Sequence, residues 1–148
     1  MIEISSPKTT EEFEKYFELR YSILRKPWNE PKGSERDDQE DTSFHACAKY
    51  NNEIIGACRL QFNDEQTAQI RYMCTQNEFQ GKGVGKKLVD FVEDYAKSKN
   101  VNKIILHARE NAVDFYKKCG YKTIASSYLL FGCIPHFLME KQLDVFSD

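Results

Sequence analysis

One stretch of this chain limits its fold more than any other. From Thr67 to Ala108 it reads as an apolar strand "TAQIRYMCT", a glycine-rich turn "QGKGVG", an amphipathic run "KKLVDFVEDYAKSK" and a second apolar strand "VNKIILHA". A strand, a helix and a strand in that order make a crossover, which pairs the two strands in parallel, usually with right-handed sense. The segments just before it behave differently. "FHACAKY" (Phe44 to Tyr50) and "EIIGACRLQF" (Glu53 to Phe62) are separated by Asn51 and Asn52, and the second is separated from "TAQIRYMCT" by "NDEQ". Turns that short join antiparallel neighbours. The sheet is therefore expected to be mixed, with an antiparallel first half and a parallel pair after it.

The remaining segments fit around that sheet. "IEIS" at Ile2 to Ser5 alternates like a first strand, and Thr9 with Glu12 fits a capping box. Phe13, Phe17, Tyr21 and Leu24 then recur at helical spacing, which predicts a helix from Thr10 to Leu24. Lys26 to Asp41 reads as a long polar loop holding a short helical turn, and loops of that length in compact domains are often functional. After the glycines, Val84, Leu88, Phe91, Val92, Tyr95 and Ala96 fall on one helical face, with Lys86, Lys87, Asp90, Glu93, Asp94 and Lys97 on the other. "ENAVDFYKKCG" reads as a short helix stopped by Gly120, and "YKTIASSYLL" and "PHFLMEKQL" as two further strands. The 148 residues, 41% of them hydrophobic, suit one domain with a substantial core.

Glycine inside a helix costs about 1 kcal/mol relative to alanine, so Gly81, Gly83 and Gly85 at a helix start call for a reason. The first N–H groups of a helix have no intrahelical partner, and the helix dipole adds about half a positive charge there. Glycines let an anion reach that backbone without meeting Cβ atoms. Lys82, Lys86 and Lys87 add positive charge nearby. The bland alternative is a tight strand-to-helix turn, but three glycines in so short a run exceed what a turn needs. A Walker loop is excluded, because it requires glycine where Gln80 stands and Ser or Thr where Lys87 stands. The dinucleotide fingerprint fails as well, because Lys86 occupies its third glycine position.

Composition removes several other functions. A net charge of −2 argues against nucleic-acid binding through phosphate contacts. Neither a signal peptide nor an apolar run of membrane-spanning length is present in the sequence, so a cytoplasmic protein is expected, with no membrane partner. Cys47, Cys58, Cys74, Cys119 and Cys133 contain no C-x-x-C pair and are expected to be reduced, mostly core-facing thiols. His45, His107 and His136 do not fall at metal-ligand spacing with them, so no metal site is expected.

"QGKGVG" resembles the Q/R-x-x-G-x-G/A signature of the GNAT acetyltransferase superfamily, with Gln80, Gly83 and Gly85 in its defined positions. The surrounding "IRYMCTQNEFQGKGVGKKLVDFVEDYAK" is similar to the family's cofactor-binding strand, loop and helix, and "ILHARENAVDFYKKCGYKTIAS" to the strand and helix that follow. The resemblance extends over most of the chain from Phe44 onward, and the N-terminal "ELRYSILRKPW" also looks like small bacterial-type members. It implies a single acetyltransferase domain over residues 1–148. The implied fold is α/β (α+β), a mixed, mostly antiparallel central sheet flanked by helices. Its parallel strands, Ile70–Thr75 and Lys103–Ala108, would splay apart.

The resemblance also implies acetyl-CoA as cosubstrate and a primary amine, on a small molecule or a protein, as acceptor. Backbone N–H groups of Gln80, Gly81, Lys82, Gly83, Val84 and Gly85 would hold the pyrophosphate, with Lys86 beside them. Backbone groups of Met73, Cys74 and Thr75 would pair with the pantetheine arm and thioester. Asn111 and Phe115 match positions that contact the cofactor tail. Tyr116 matches the acid that protonates the departing thiolate, a reasonable exchange because a phenol and an aliphatic thiol both ionise at about pH 10 or a little below. Taken without the resemblance, Tyr116 reads as a core residue beside Phe115. The general base stays open among His136, His45, Glu40, Asp41 and water. Cys74 is rejected as a nucleophile, because no histidine is positioned to activate it. Arg71 suits either an ion pair or an acidic substrate group. The five acidic residues between Gly33 and Asp41 suit either a solvated loop or a lure for a cationic amine. The competing function is a non-catalytic acyl-CoA-binding module on the same fold. Free sheet edges near the C-terminus leave room for a homodimer.

Overall fold

The computed structural model describes residues 1–144. Seven strands form one sheet in the order β1-β2-β3-β4-β5-β7-β6. These are β1 (Ile2–Ser5), β2 (Phe44–Tyr50), β3 (Glu53–Phe62), β4 (Thr67–Thr75), β5 (Lys103–Arg109), β6 (Lys122–Leu130) and β7 (Ile134–Gln142). Three helices accompany them: α1 (Thr10–Leu24), α2 (Val84–Ser98) and α3 (Val113–Lys118). The mixed sheet has one parallel pair, β4 with β5, as the crossover requires. By backbone proximity the chain divides into two compact units, residues 1–61 with 72–92, and residues 62–71 with those from Glu93 onward.

In the first unit β1 and β3 flank β2 in antiparallel register, Ile2 opposite Tyr50 and Phe44 opposite Leu60. Helix α1 begins at a complete capping box. The Thr9 hydroxyl accepts from Glu12 N–H at 3.0 Å, and the Glu12 carboxylate accepts from Thr9 N–H at 3.3 Å. Its apolar face places Tyr16, Phe17, Leu19 and Leu24 in a core with Cys47, Ala57 and Cys74. Gly56, in the middle of β3, sets how closely α2 can approach. A Cβ there would lie 3.0 Å from Val84 Cγ1, 3.1 Å from Ala48 Cβ and 3.2 Å from Leu88 Cδ1. Gly56→Val is therefore expected to cost about 1–3 kcal/mol through overpacking. A lower urea midpoint at unchanged slope would register that loss, and an unchanged midpoint would contradict the close approach.

In the second unit the parallel ladder pairs Thr67–Ile70 with Lys103–Leu106. β7 runs antiparallel to both β5 and β6, with Leu106 opposite Met139 and Lys122 opposite Glu140. Ile104, Leu106 and Met139 are buried, while β6 is exposed along nearly all its length. Helix α3 ends as expected, with Gly120 N–H on the Lys117 carbonyl at 3.0 Å. Glu93, placed on the polar face of α2, is only 5% exposed. Its carboxylate accepts from the Tyr121 hydroxyl at 2.9 Å and from Lys141 Nζ at 3.0 Å. Helical periodicity locates a face but cannot foresee that two distant residues will supply partners for a charge upon it.

Candidate active site

The glycine loop is set by its backbone conformation. Gly81 and Gly83 have φ of +76° and +83°, and a Cβ at either would meet no atom within 4 Å. Packing therefore does not demand glycine there; backbone conformation does, and the side-chain space stays open. The Gly83 carbonyl accepts from Lys87 N–H at 3.1 Å, which makes Gly83 the residue that caps α2. The N–H groups of Val84, Gly85 and Lys86 precede that first helical bond. Gln80 closes the turn: its Nε2 donates to the Thr75 carbonyl and to Asn77 Oδ1, both at 3.2 Å. Its backbone N–H is directed to the Asn77 carbonyl. The loop is thereby tied to the end of β4. Lys82 Nζ lies 5.7 Å from the centre of the Phe79 ring, and Lys86 pairs with Asp90 on the exposed face of α2.

β4 bends just before Met73, Cys74 and Thr75. Tyr72 has φ +55°, a left-handed conformation that costs a bulky residue roughly 1–2 kcal/mol. Three guanidinium groups lie over its ring, Arg20 at 3.8 Å, Arg59 at 4.9 Å and Arg25 at 5.5 Å from the centre. Past the bend Cys74 is buried, Met73 and Thr75 are half-buried, and the chain rejoins β3 through Gln76 N–H on the Ile55 carbonyl at 2.8 Å.

Arg20 and Arg59 are fully buried and organise the acidic loop. Arg20 donates to both Glu40 carboxylate oxygens, at 3.0 and 2.8 Å, and to the Glu35 carbonyl. Arg59 grips Asp37 at 2.6 and 2.9 Å and reaches Glu40 at 2.9 Å and Gln61 at 2.5 Å. Burial by itself would raise the Glu40 pKa. The hydrogen bond from Arg20 and the charges of Arg20 and Arg59 outweigh it, so the carboxyl ionises below its usual range. Asp37 and Glu40 are thus occupied within the chain, and the loop is neither simply solvated nor simply a lure for amines.

His45 belongs to the same core. Its Nε2 donates to the Glu40 carbonyl at 2.8 Å, and its Nδ1 shares the Tyr16 hydroxyl, 3.0 Å away, with the Cys58 carbonyl. Burial, the largest influence, lowers its pKa and keeps it neutral. With both nitrogens engaged, His45 is a structural residue and not a base. Neither Arg20 nor Arg59 stood out in the sequence; the cue was two arginines at positions that strand and helix patterns assign to the interior.

In the second unit, Asn111 lies exposed in a short 3-10 turn ahead of α3. Phe115 is half-buried and Tyr116 is 6% exposed. The Tyr116 ring packs edge-on against Phe115 at 4.9 Å and Tyr121 at 5.8 Å. Its carbonyl accepts from Cys119 and Tyr121 N–H groups, both at 3.0 Å, which fixes the end of α3. Cys47, Cys58, Cys74 and Cys119 are buried, and Cys133 is exposed. Among the described residues no group of three or more His, Cys, Asp or Glu side chains is placed to hold a metal. No described helix is long and apolar enough to cross a membrane.

Residues 9–121 match the acetyltransferase (GNAT) family, so this chain is a member of that family. A Bacillus subtilis protein named as an acetyltransferase is 30% identical over 131 residues, 86% of this chain and 88% of its own length. A crystal structure of a Lactobacillus plantarum protein named as an N-acetyltransferase has the same fold, with a TM-score of 0.84 at 22% identity over 96% of this chain and 98% of that one. A GNAT acetyltransferase from Elizabethkingia anophelis, solved with acetyl-CoA bound, matches with a TM-score of 0.69 at 23% identity over 97% of each chain.

Proposed function

We propose that this chain transfers an acetyl group from acetyl-CoA directly to a primary amine of a small molecule or a protein. The observation that carries the reading is the pair of positive-φ glycines, Gly81 and Gly83, whose Cβ positions face open space at the start of α2. That cradle fits a pyrophosphate, an anion best met by backbone N–H groups at a helix start. Gly81, Lys82, Gly83, Val84, Gly85 and Lys86 are assigned to it, with Gln80 shaping the turn. Backbone groups of Met73, Cys74 and Thr75 would pair with the pantetheine arm, and Asn111 and Phe115 with the rest of the tail. Acetyl-CoA supplies the activated acyl group. The protein's share is to orient the thioester, take protons from the amine and return one to the thiolate, the last step assigned to Tyr116.

Gly83→Val tests the cradle. The β-branched side chain at a positive φ is expected to cost about 1–3 kcal/mol of stability. It also stands where the anion would meet the backbone, so acetyl-CoA affinity is expected to fall at least tenfold, as for loss of about one charged hydrogen bond. Calorimetry on the folded variant separates the two effects. Equal affinity in variant and wild type would remove the loop from the account. Amine-dependent release of free CoA, followed with a thiol reagent, distinguishes an enzyme from a module that only binds acyl-CoA.

A further inference from the structure

A second group of side chains is formed within the second unit alone. Arg71 on β4, His107 on β5, Tyr128 on β6 and His136 on β7 come from four strands of the second unit. His107 is the first β5 residue beyond Leu106, where the parallel ladder to β4 ends. Its Nδ1 is buried and has no hydrogen-bond partner among the described residues. Buried polar atoms are nearly always satisfied, so an exception calls for an explanation.

The neighbours of His107 are placed firmly. His136 is 5% exposed, and its Nδ1 lies 2.9 Å from the Ile134 carbonyl, which can only accept, so that nitrogen carries its hydrogen. Tyr128 is 45% exposed and stacks on His136 with ring centres 4.6 Å apart and planes 10° apart. The same Tyr128 ring lies 5.3 Å from the His107 ring. Burial first, then His136 and Arg71, lower the His107 pKa below its ordinary 6.5, so the imidazole is neutral near neutral pH.

We propose that His107 is the base that takes a proton from the acceptor's ammonium group, with the half-exposed Tyr128 ring as the surface that receives that cation. The inference rests on the acetyl-transfer reading. A neutral imidazole is the form able to accept a proton, and an exposed aromatic face attracts an ammonium. The ammonium gives its first proton to His107, which passes it to water. The neutral nitrogen bonds to the acyl carbon, the carbon–sulfur bond breaks, and the second nitrogen proton ends on the departing thiolate. The products are an amide, free CoA and one released proton.

Two amine probes separate this role from a structural one. Benzylamine is protonated near neutral pH and needs a base, whereas hydroxylamine is already neutral there. His107→Gln is expected to slow acetylation of benzylamine about 100-fold while hydroxylamine stays within about threefold and acetyl-CoA affinity is unchanged. Equal losses with both amines, no loss with either, or no turnover of either by the wild type would overturn the proposal. Nitrogen NMR of 15N-histidine-labelled wild type supplies a readout that needs no turnover. His107 is expected to be neutral just below neutral pH, and a protonated ring there would also overturn it. If the wild type binds no acetyl-CoA, the functional reading fails and this inference falls with it. If binding stands but the amine pattern is wrong, this inference fails alone.

Discussion

Glu40→Gln is expected to destabilise the protein by about 3–5 kcal/mol, the range for breaking a buried ion pair from one side. Glu40 is the carboxylate that both fully buried arginines share, at 2.8 Å from Arg20 and 2.9 Å from Arg59. The amide keeps the shape but removes the charge, so two guanidinium groups stay in the core with Asp37 as the remaining acid. The same contacts make the fold acid-sensitive. His45 has its folded pKa lowered, so the unfolded chain binds the proton first, and stability begins to fall below the ordinary 6.5. Glu40 also has its folded pKa lowered, so its contribution is complete above the ordinary 4.5 and is lost as pH falls through the folded value. Urea unfolding at several pH values checks both points. Glu40→Gln should also flatten the steepest, most acidic part of the curve. A variant within 1 kcal/mol of wild type, roughly the value of a surface pair, would mean that Glu40 behaves as an exposed acid.

Tyr116→Phe is expected to lower kcat between about 100-fold and 1,000-fold, as for loss of a general acid. Phenylalanine retains the edge-on packing against Phe115 and Tyr121, so stability and the KM for acetyl-CoA should stay close to wild type. The effect should be smallest when the leaving thiolate is a weaker base. A thioester of a more acidic thiol therefore serves as the control, and its turnover should recover. Unchanged turnover with acetyl-CoA would reduce Tyr116 to a packing residue at the end of α3.

Local signals in the sequence carried most of the fold. The capping box at Thr9, the short turns at Asn51 and Asn63, and the glycines ahead of α2 each act within a few residues, and each appears where the pattern placed it. α1, β2, β3 and β4 have the predicted bounds, while β5 starts and ends slightly later than "VNKIILHA" suggested. Features that depend on partners far along the chain were not legible. Glu93 looks like a surface acid until Tyr121 and Lys141 are brought to it. His45 looks like a base until Tyr16 and the Glu40 carbonyl take its nitrogens. Tyr72 gives no local hint of a positive φ, because the arginines over its ring lie on α1, at its C-cap and on β3. At the candidate site, the positive-φ glycines were legible because glycine conformation is local, whereas the surroundings of His107 depend on three other strands.

A glycine loop that holds the pyrophosphate of CoA gives the free protein an affinity for the cosubstrate that calorimetry can read. Titration of wild type with acetyl-CoA, with ATP and NAD as controls, is expected to show saturable one-to-one binding of acetyl-CoA, with ATP and NAD far weaker. No binding of acetyl-CoA, or equal binding of all three, would contradict it.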